Sequence, residues 1–318
     1  MLERLGPDLL AVYEAGPTGF GLVREAGRRG LEVRVVAPGS IPRAPGDRVK
    51  TDKRDSLRLL RLLAAGELRF VFVPSVEDER FRDLVRALDD LRGDLMRARH
   101  RLSKFLLRAG QRYEQGQAWT LRHMGWLRAL SFEDASAQAT LADYLSAVEF
   151  GLGRRQALLG ALEQAVGGYS RAPVIGRLRC FRGIDTLSAA GLCAELHGFE
   201  PFPRPALVSG FVGIVPSERT SDTKRRQGSI TKAGSGHARR LLVEAAHHYR
   251  HRPAIGETLA RRQAGQDPRI IETAWRAQRR LHQRWQRLHI ERRKPSGVVA
   301  VAVARELAAF LWEAATLD

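Results

Sequence analysis

Between residues 77 and 109 an apolar residue recurs at every third or fourth position without a break: Phe81, Leu84, Leu88, Leu91, Leu95, Ala98, Leu102, Phe105 and Ala109. A 3-4 repeat of about four heptads draws one apolar stripe along a single helix, and another helix must cover that stripe. Charged residues such as Asp83, Arg86, Asp89, Asp90, Arg92, Arg97 and Arg99 fill the positions between. A second stripe runs through Leu141, Leu145, Val148, Leu152, Leu159, Leu162 and Val166, and Arg155 is its only break. An irregular Gly/Gln-rich stretch, 110–117, separates the two. Three arrangements satisfy this pattern: an antiparallel helical hairpin, an ordinary intramolecular bundle, or a surface that pairs subunits.

Upstream the pattern changes. Leu9–Tyr13 reads as a buried strand, Thr18–Arg29 as a helix ended by Gly30, and Leu31–Val36 as a second strand stopped by Pro38-Gly39. Thr51–Ala65 reads as a helix capped near Thr51 or Asp52, and Arg69–Pro74 as a third strand. Strand–helix–strand units of this length predict a parallel sheet. In that frame Glu14 lies just past the carboxyl end of a strand, where open α/β sheets bind ligands. Asp52 and Asp55 share one face of a helix start. Three carboxylates meeting there would need a cation, and Mg²⁺ (or Mn²⁺) suits hard oxygen ligands. Alternatively, Glu14 is simply exposed, and the two aspartates favour the helix dipole.

Charge narrows the partners. The chain has 318 residues, with 53 Lys+Arg against 35 Asp+Glu, a net charge of +18. That balance favours a polyanion, nucleic acid above all. No apolar run approaches the roughly 18–20 residues that span a bilayer, so no membrane role is expected. The start, Met1-Leu2-Glu3-Arg4, lacks the apolar core of a signal peptide. Cys180 and Cys193 are the only cysteines, which points to a reducing compartment without a disulfide framework.

The richest chemistry lies in a basic, serine-bearing segment. Ser209-Gly210-Phe211-Val212-Gly213-Ile214-Val215-Pro216 leads into Glu218-Arg219-Thr220-Ser221, then Gly228-Ser229-Ile230-Thr231-Lys232-Ala233-Gly234, then Arg239-Arg240 and an apolar helix. From Arg219 to Arg240 there are seven Lys/Arg and one Asp. Cations there can hold phosphate, and small residues let the backbone approach it. A serine in such a place can attack a phosphodiester. The plainer reading is a solvated basic loop followed by a helix cap.

The order of these residues resembles the C-terminal domain of the DEDD transposases of the insertion sequence 110 family. The matching positions are Gly213, Ile214, Pro216, Ser221, Gly228, Ile230, Thr231, Lys232, Gly234, Arg239, Arg240 and Ala245-Ala246; Asp222 stands where that family usually has Gly. Glu14-Ala15-Gly16-Pro17-Thr18-Gly19 and Lys50-Thr51-Asp52-Lys53-Arg54-Asp55-Ser56 resemble its N-terminal blocks. The resemblance implies a fold of α/β plus α. Residues 1–75 would form a RuvC-like (RNase H-type) domain, 76–168 a coiled-coil segment, and 169–318 a mostly helical transposase domain. It implies catalytic Glu14, Asp52, Asp55 and Ser221, with the three carboxylates as metal ligands. Lys50, Arg219, Lys224, Arg225, Arg226, Lys232, Arg239 and Arg240 would contact nucleic acid. Donor and target DNA, a structured guide RNA and self-association through 77–166, as dimer or tetramer, complete the implied partners. A cytoplasmic, nucleoid-associated location follows. The family's first aspartate has no counterpart before Glu14, so the chain is expected to be N-terminally truncated or to begin at a late start codon.

Two further stretches carry weaker signals. Leu178–Asp185 with Ser188–Leu192 resembles a helix-hairpin-helix in which Asp185 replaces the second glycine of the turn. From Arg250 to Lys294 there are thirteen Lys/Arg against four Asp/Glu, with Trp275, Leu281, Trp285 and Leu288 at helical spacing; burial of the Trp rings is favoured over base stacking. Three functions fit the sequence: a serine-type DNA recombinase, a metal-dependent nuclease of the resolvase class in which Ser221 is structural, and a non-catalytic nucleic-acid-binding remnant.

Overall fold

The computed structural model describes residues 9–41, 51–221 and 224–317; the side chains of Ser40 and of 219–227 are not described. Residues up to Ser75 form one compact unit and those from Val76 a second.

In the first unit, β1 (Leu10–Glu14) and β2 (Glu32–Val36) pair in parallel, with Leu10 opposite Glu32 and Glu14 opposite Val36. Helix α1 (Gly21–Arg28) makes the crossover and packs on β2. Val33, Val35 and Val36 are buried while Glu32 and Arg34 are exposed. Helix α2 (Asp52–Ala64) starts at Thr51, whose hydroxyl accepts a hydrogen bond from the Arg54 amide at 3.4 Å. The third expected strand is not continuous. Residues 69–73 touch the sheet through a single antiparallel bridge, Val36 to Phe70, and one bond from the Val71 amide to the Val35 carbonyl at 2.7 Å. Phe70 and Phe72 remain exposed. A strand needs a covering layer on its apolar face, and the described residues supply none there.

The second unit opens with α3 (Val76–Arg108), followed by α4 (Leu121–Ala129) and α5 (Ala135–Gly168). Helices α3 and α5 run antiparallel: Phe81 stacks on Tyr169 at 4.0 Å, Leu95 lies against Gly151, and Phe105 meets Tyr144 edge-on at 5.9 Å. Gly151 lets the two helices close; a Cβ there would sit 3.1 Å from Leu95 Cδ1. The α3 seam is therefore covered within one chain, with Phe81, Val85, Leu88, Leu91, Leu95, Ala98, Leu102 and Leu106 buried. Of the arrangements that satisfy the heptad pattern, the antiparallel hairpin is the one formed: α5 and α4 take the apolar surface of the seam out of water. The α5 stripe faces the same cores: Leu141, Val148 and Leu162 are buried, and Leu145, Leu152, Leu159 and Val166 are partly buried and pack against them.

The base of the hairpin shares one core with the helices that follow. These are α6 (Ala172–Leu178), α7 (Thr186–Glu195), α8 (Pro205–Phe211), α9 (Gly236–Ala246), α10 (Glu257–Gln263), α11 (Pro268–Trp285) and α12 (Ser296–Ala315). Phe81, Val85, Leu88 and Leu162 pack with Ile175, Leu192, Leu241 and Leu307 in this cluster. Alanines at 300, 304 and 308 keep α12 narrow enough to touch α6, α8, α9 and α11. Trp285 is 4% exposed, so the burial reading of that ring holds. No described helix is long and apolar enough to cross a membrane.

Candidate functional site

The basic serine segment is not a loop. Pro216–Ser221 (β3) and Lys224–Ile230 (β4) form an antiparallel hairpin in which Ser221 pairs with Lys224, Thr220 with Arg225 and Arg219 with Arg226. The sequence hid it because neither strand alternates polar and apolar residues; the backbone ladder defines the pairing. Its register brings the predicted nucleophile and four of the predicted phosphate-binding cations onto neighbouring positions.

A two-stranded ribbon is marginal alone, so its base must be held. The Thr231 amide donates to the Val215 carbonyl at 3.0 Å, and the Lys232 amide to the Gly213 carbonyl at 3.1 Å. Gly213 (φ +67°) and Gly234 (φ +62°) occupy the left-handed region, and a Cβ on either would collide with backbone, Ala233 in one case and Phe211 in the other. Arg239 Nη1 donates to the carbonyls of Val212 and Ala233, both at 3.0 Å. Arg239 therefore ties the two ends of the ribbon together. Arg240 is engaged as well, by Asp89 of α3 at 2.6 Å and Glu244 at 2.7 Å. Lys232 is exposed.

Ser235 and His237, which follow the ribbon in sequence, meet a charged group that the sequence reading missed. Glu195, at the end of α7, is 4% exposed. Its Oε1 accepts from Arg86 Nε at 2.8 Å and lies 3.4 Å from His237 Nδ1. Its Oε2 accepts from Arg86 Nη2 at 3.1 Å and from Ser235 Oγ at 2.9 Å. Burial alone would raise this carboxyl's pKa. The hydrogen bonds from His237, Arg86 and Ser235, together with the Arg86 charge, outweigh burial and hold it well below the ordinary carboxylate range. Ser235 Oγ in turn accepts from the Ala238 amide and caps α9. One buried carboxylate thus fastens α3, α7 and the start of α9, directly after the ribbon. A signal existed: Glu195 is the only charged residue of α7.

The carboxylates of the first unit are placed as the sequence suggests but not gathered. Glu14 ends β1 and is exposed; Asp52 and Asp55 lie in the first turn of α2, with Asp55 3.9 Å from Arg58. Among the described residues no three His, Cys, Asp or Glu side chains come together closely enough to hold a metal. The oxygen donors of Glu14, Asp52 and Asp55 are chemically right for Mg²⁺. Lys50 lies outside the described residues.

At the helix-hairpin-helix turn the start of α7 is taken by its own cap. Asp185 caps α7 by accepting from the Ser188 amide at 2.8 Å, and Gly183 (φ +80°) packs against Ala245 and His248. Both cysteines are buried, with burial pushing Cys180 up to about 11 and Cys193 up to about 12.

A helical domain presenting a glycine-locked basic ribbon defines a nucleic-acid-handling protein, and comparison with known proteins gives its kind. The family described as Transposase IS116/IS110/IS902 matches residues 176–260, the stretch from α6 through the ribbon and α9 into α10. The y4qE protein of Sinorhizobium fredii (strain NBRC 101917 / NGR234), which carries the name transposase, is 41% identical over 301 residues, covering 94% of this chain and 73% of its own length. The transposase for insertion sequence element IS1533 of Leptospira borgpetersenii is 34% identical over 291 residues, covering 90% of this chain and 84% of its own. A family 20 transposase of Pseudomonas aeruginosa is 26% identical over 320 residues. This chain belongs to the IS116/IS110/IS902 transposase family.

Proposed function

We propose that this chain is the recombinase of an insertion sequence and cuts and rejoins DNA with Ser221 as nucleophile. The observation that carries the reading is the ribbon's register: Ser221 stands opposite Lys224, with Arg219, Arg225 and Arg226 on adjoining pairs, on a base locked by Gly213, Gly234 and Arg239. Ser221 Oγ gives up its proton and bonds to phosphorus; the 3′ oxygen takes a proton and leaves. The DNA is then held as a 5′-phosphoserine ester. Attack by another 3′ hydroxyl reverses the step and frees the serine. The cations of the ribbon stabilise the charge that builds on the phosphoryl oxygens, the term that usually dominates such transfers.

The RuvC-like reading of the first unit belongs to the same proposal. Glu14, Asp52 and Asp55 are its carboxylates, and Mg²⁺ or Mn²⁺ bound by them would supply electrostatic stabilisation at phosphate. A structured RNA that selects donor and target, and self-association through residues 77–166 as dimer or tetramer, complete it. The strongly basic composition supports a second polyanion beside DNA.

The test is Ser221→Ala, assayed with guide RNA and donor and target duplexes. Denaturation-resistant protein–DNA adduct and strand transfer should vanish, while DNA affinity stays within a few-fold. Adduct persisting in Ser221→Ala moves the nucleophile to Ser229, which is exposed; Ser235 is committed to Glu195 and the α9 cap. Cleavage persisting without adduct favours the nuclease reading.

A further inference from the structure

We infer that the far half of α3 is a docking surface for the phosphodiester backbone of duplex DNA, distinct from the serine ribbon. Arg97, Arg101, Lys104 and Arg108 follow a 3-4 spacing on the face opposite the buried seam of Leu95, Ala98, Leu102 and Leu106. All four are exposed. Arg97 pairs with Asp94, whereas Arg101, Lys104 and Arg108 have no hydrogen bond or ion pair among the described residues.

What sets this stripe apart is its segregation by sign. Residues 95–108 contain five Lys/Arg and no Asp or Glu. The same stripe continued towards the start of α3 carries Asp83, Asp90 and Asp94, all exposed, and the cation among them, Arg86, is paired with Glu195. A helix face built only for solubility mixes the two signs, because like charges at i,i+4 destabilise it. Here the repulsion is left standing, and a polyanion would relieve it. The acidic half then fixes where the polyanion stops, near residue 95.

Geometry and chemistry select the occupant. At 1.5 Å rise per residue, the stripe is about 16 Å long. One DNA strand presents a phosphate about every 3.4 Å along the axis, so about five phosphates lie along that length. Single-stranded nucleic acid calls for aromatic stacking platforms. The aromatic side chain in this stretch, Phe105, is occupied by Phe132 at 5.6 Å and Tyr144 at 5.9 Å. A second copy of the chain would gain only exposed ion pairs, which contribute little. DNA is chosen over duplex RNA because the inference rests on the reading of this chain as a DNA transposase; it does not depend on Ser221.

The test uses the full chain and a fluorescent random-sequence DNA duplex, with anisotropy titrations between about 50 and 200 mM salt. The variant is R101Q/K104Q/R108Q. Its plot of log affinity against log salt should be shallower than the parent's by about 2.7, about 0.9 per lost phosphate contact. R101K/R108K should keep the parental slope, which separates lost charge from a fold defect. R61Q/R69Q, which removes exposed cations of the first unit, should change the slope by less than about 0.5. A parent with no salt dependence on DNA would sink the DNA reading itself. A steep parent whose slope the triple variant shares would sink the stripe alone. A slope change seen with an RNA duplex but not with DNA, or a salt-sensitive dimer lost in the triple variant on sedimentation, would reassign the stripe to RNA or to a second copy.

Discussion

Replacing Glu195 by Gln should cost the second unit about 3 kcal/mol at pH 7. The carboxylate receives two bonds from Arg86 and one from Ser235, and lies 3.4 Å from His237. Removing one partner of a buried ion pair costs about 3–5 kcal/mol, mostly because the other charge is left stranded. The Arg86 side chain is 52% exposed and can turn to water, which puts the expected loss at the low end. For a unit of this size each kcal/mol moves Tm by about 2–4 °C, so a fall of about 6–12 °C is expected. The dependence on pH is the sharper test. Glu195 is held below its ordinary pKa, so its stabilisation is complete above the unfolded carboxyl pKa of about 4.3 and is lost as pH falls below it. The gap between parent and E195Q, measured by urea unfolding, should therefore be full at pH 7 and narrow below pH 4. R86Q combined with E195Q should cost less than the sum of the two. A gap under about 1 kcal/mol at pH 7, or one that stays constant down to pH 3.5, would refute the assignment of Glu195 as the fastening charge.

Three other outcomes follow from the packing. Gly234→Ala should lose DNA strand transfer and several degrees of Tm, because a Cβ there meets the Phe211 backbone at a positive φ; parental melting and activity would contradict the description of the ribbon base. Leu88, Leu91 and Leu95 changed together to Lys should unfold the second unit on circular dichroism, and a folded product would mean that the seam is not core. His197, buried with its pKa pushed down to about 4 by burial and then by Arg82, stays neutral in the fold while the unfolded chain takes up a proton below about 6.5. Stability should fall as pH drops from about 6.5 to 4, and H197Q should flatten that window.

The legible parts of this chain were those whose signal is local. The seam of α3, the cap at Thr51, the placement of Glu14 at the end of β1 and of Asp52 and Asp55 on a helix start all follow from spacing and capping within a few turns. The order of glycines, Thr231-Lys232 and Arg239-Arg240 gave the family resemblance, because those positions carry a backbone shape that tolerates few substitutes. Spacing alone could not say what covers the seam: α5 lies dozens of residues away, and a subunit would satisfy the same pattern. Nor could it assign the arginines. Arg239 and Arg240 read as free cations in a basic run, and tertiary contacts give them Val212, Ala233, Asp89 and Glu244 as partners. Glu195 was the hardest residue to read. A carboxylate becomes a fastening only when Arg86, Ser235 and His237 arrive from elements more than forty residues away or nearly so, and hydrogen-bond geometry of that reach is fixed by the packed core, not by neighbouring sequence.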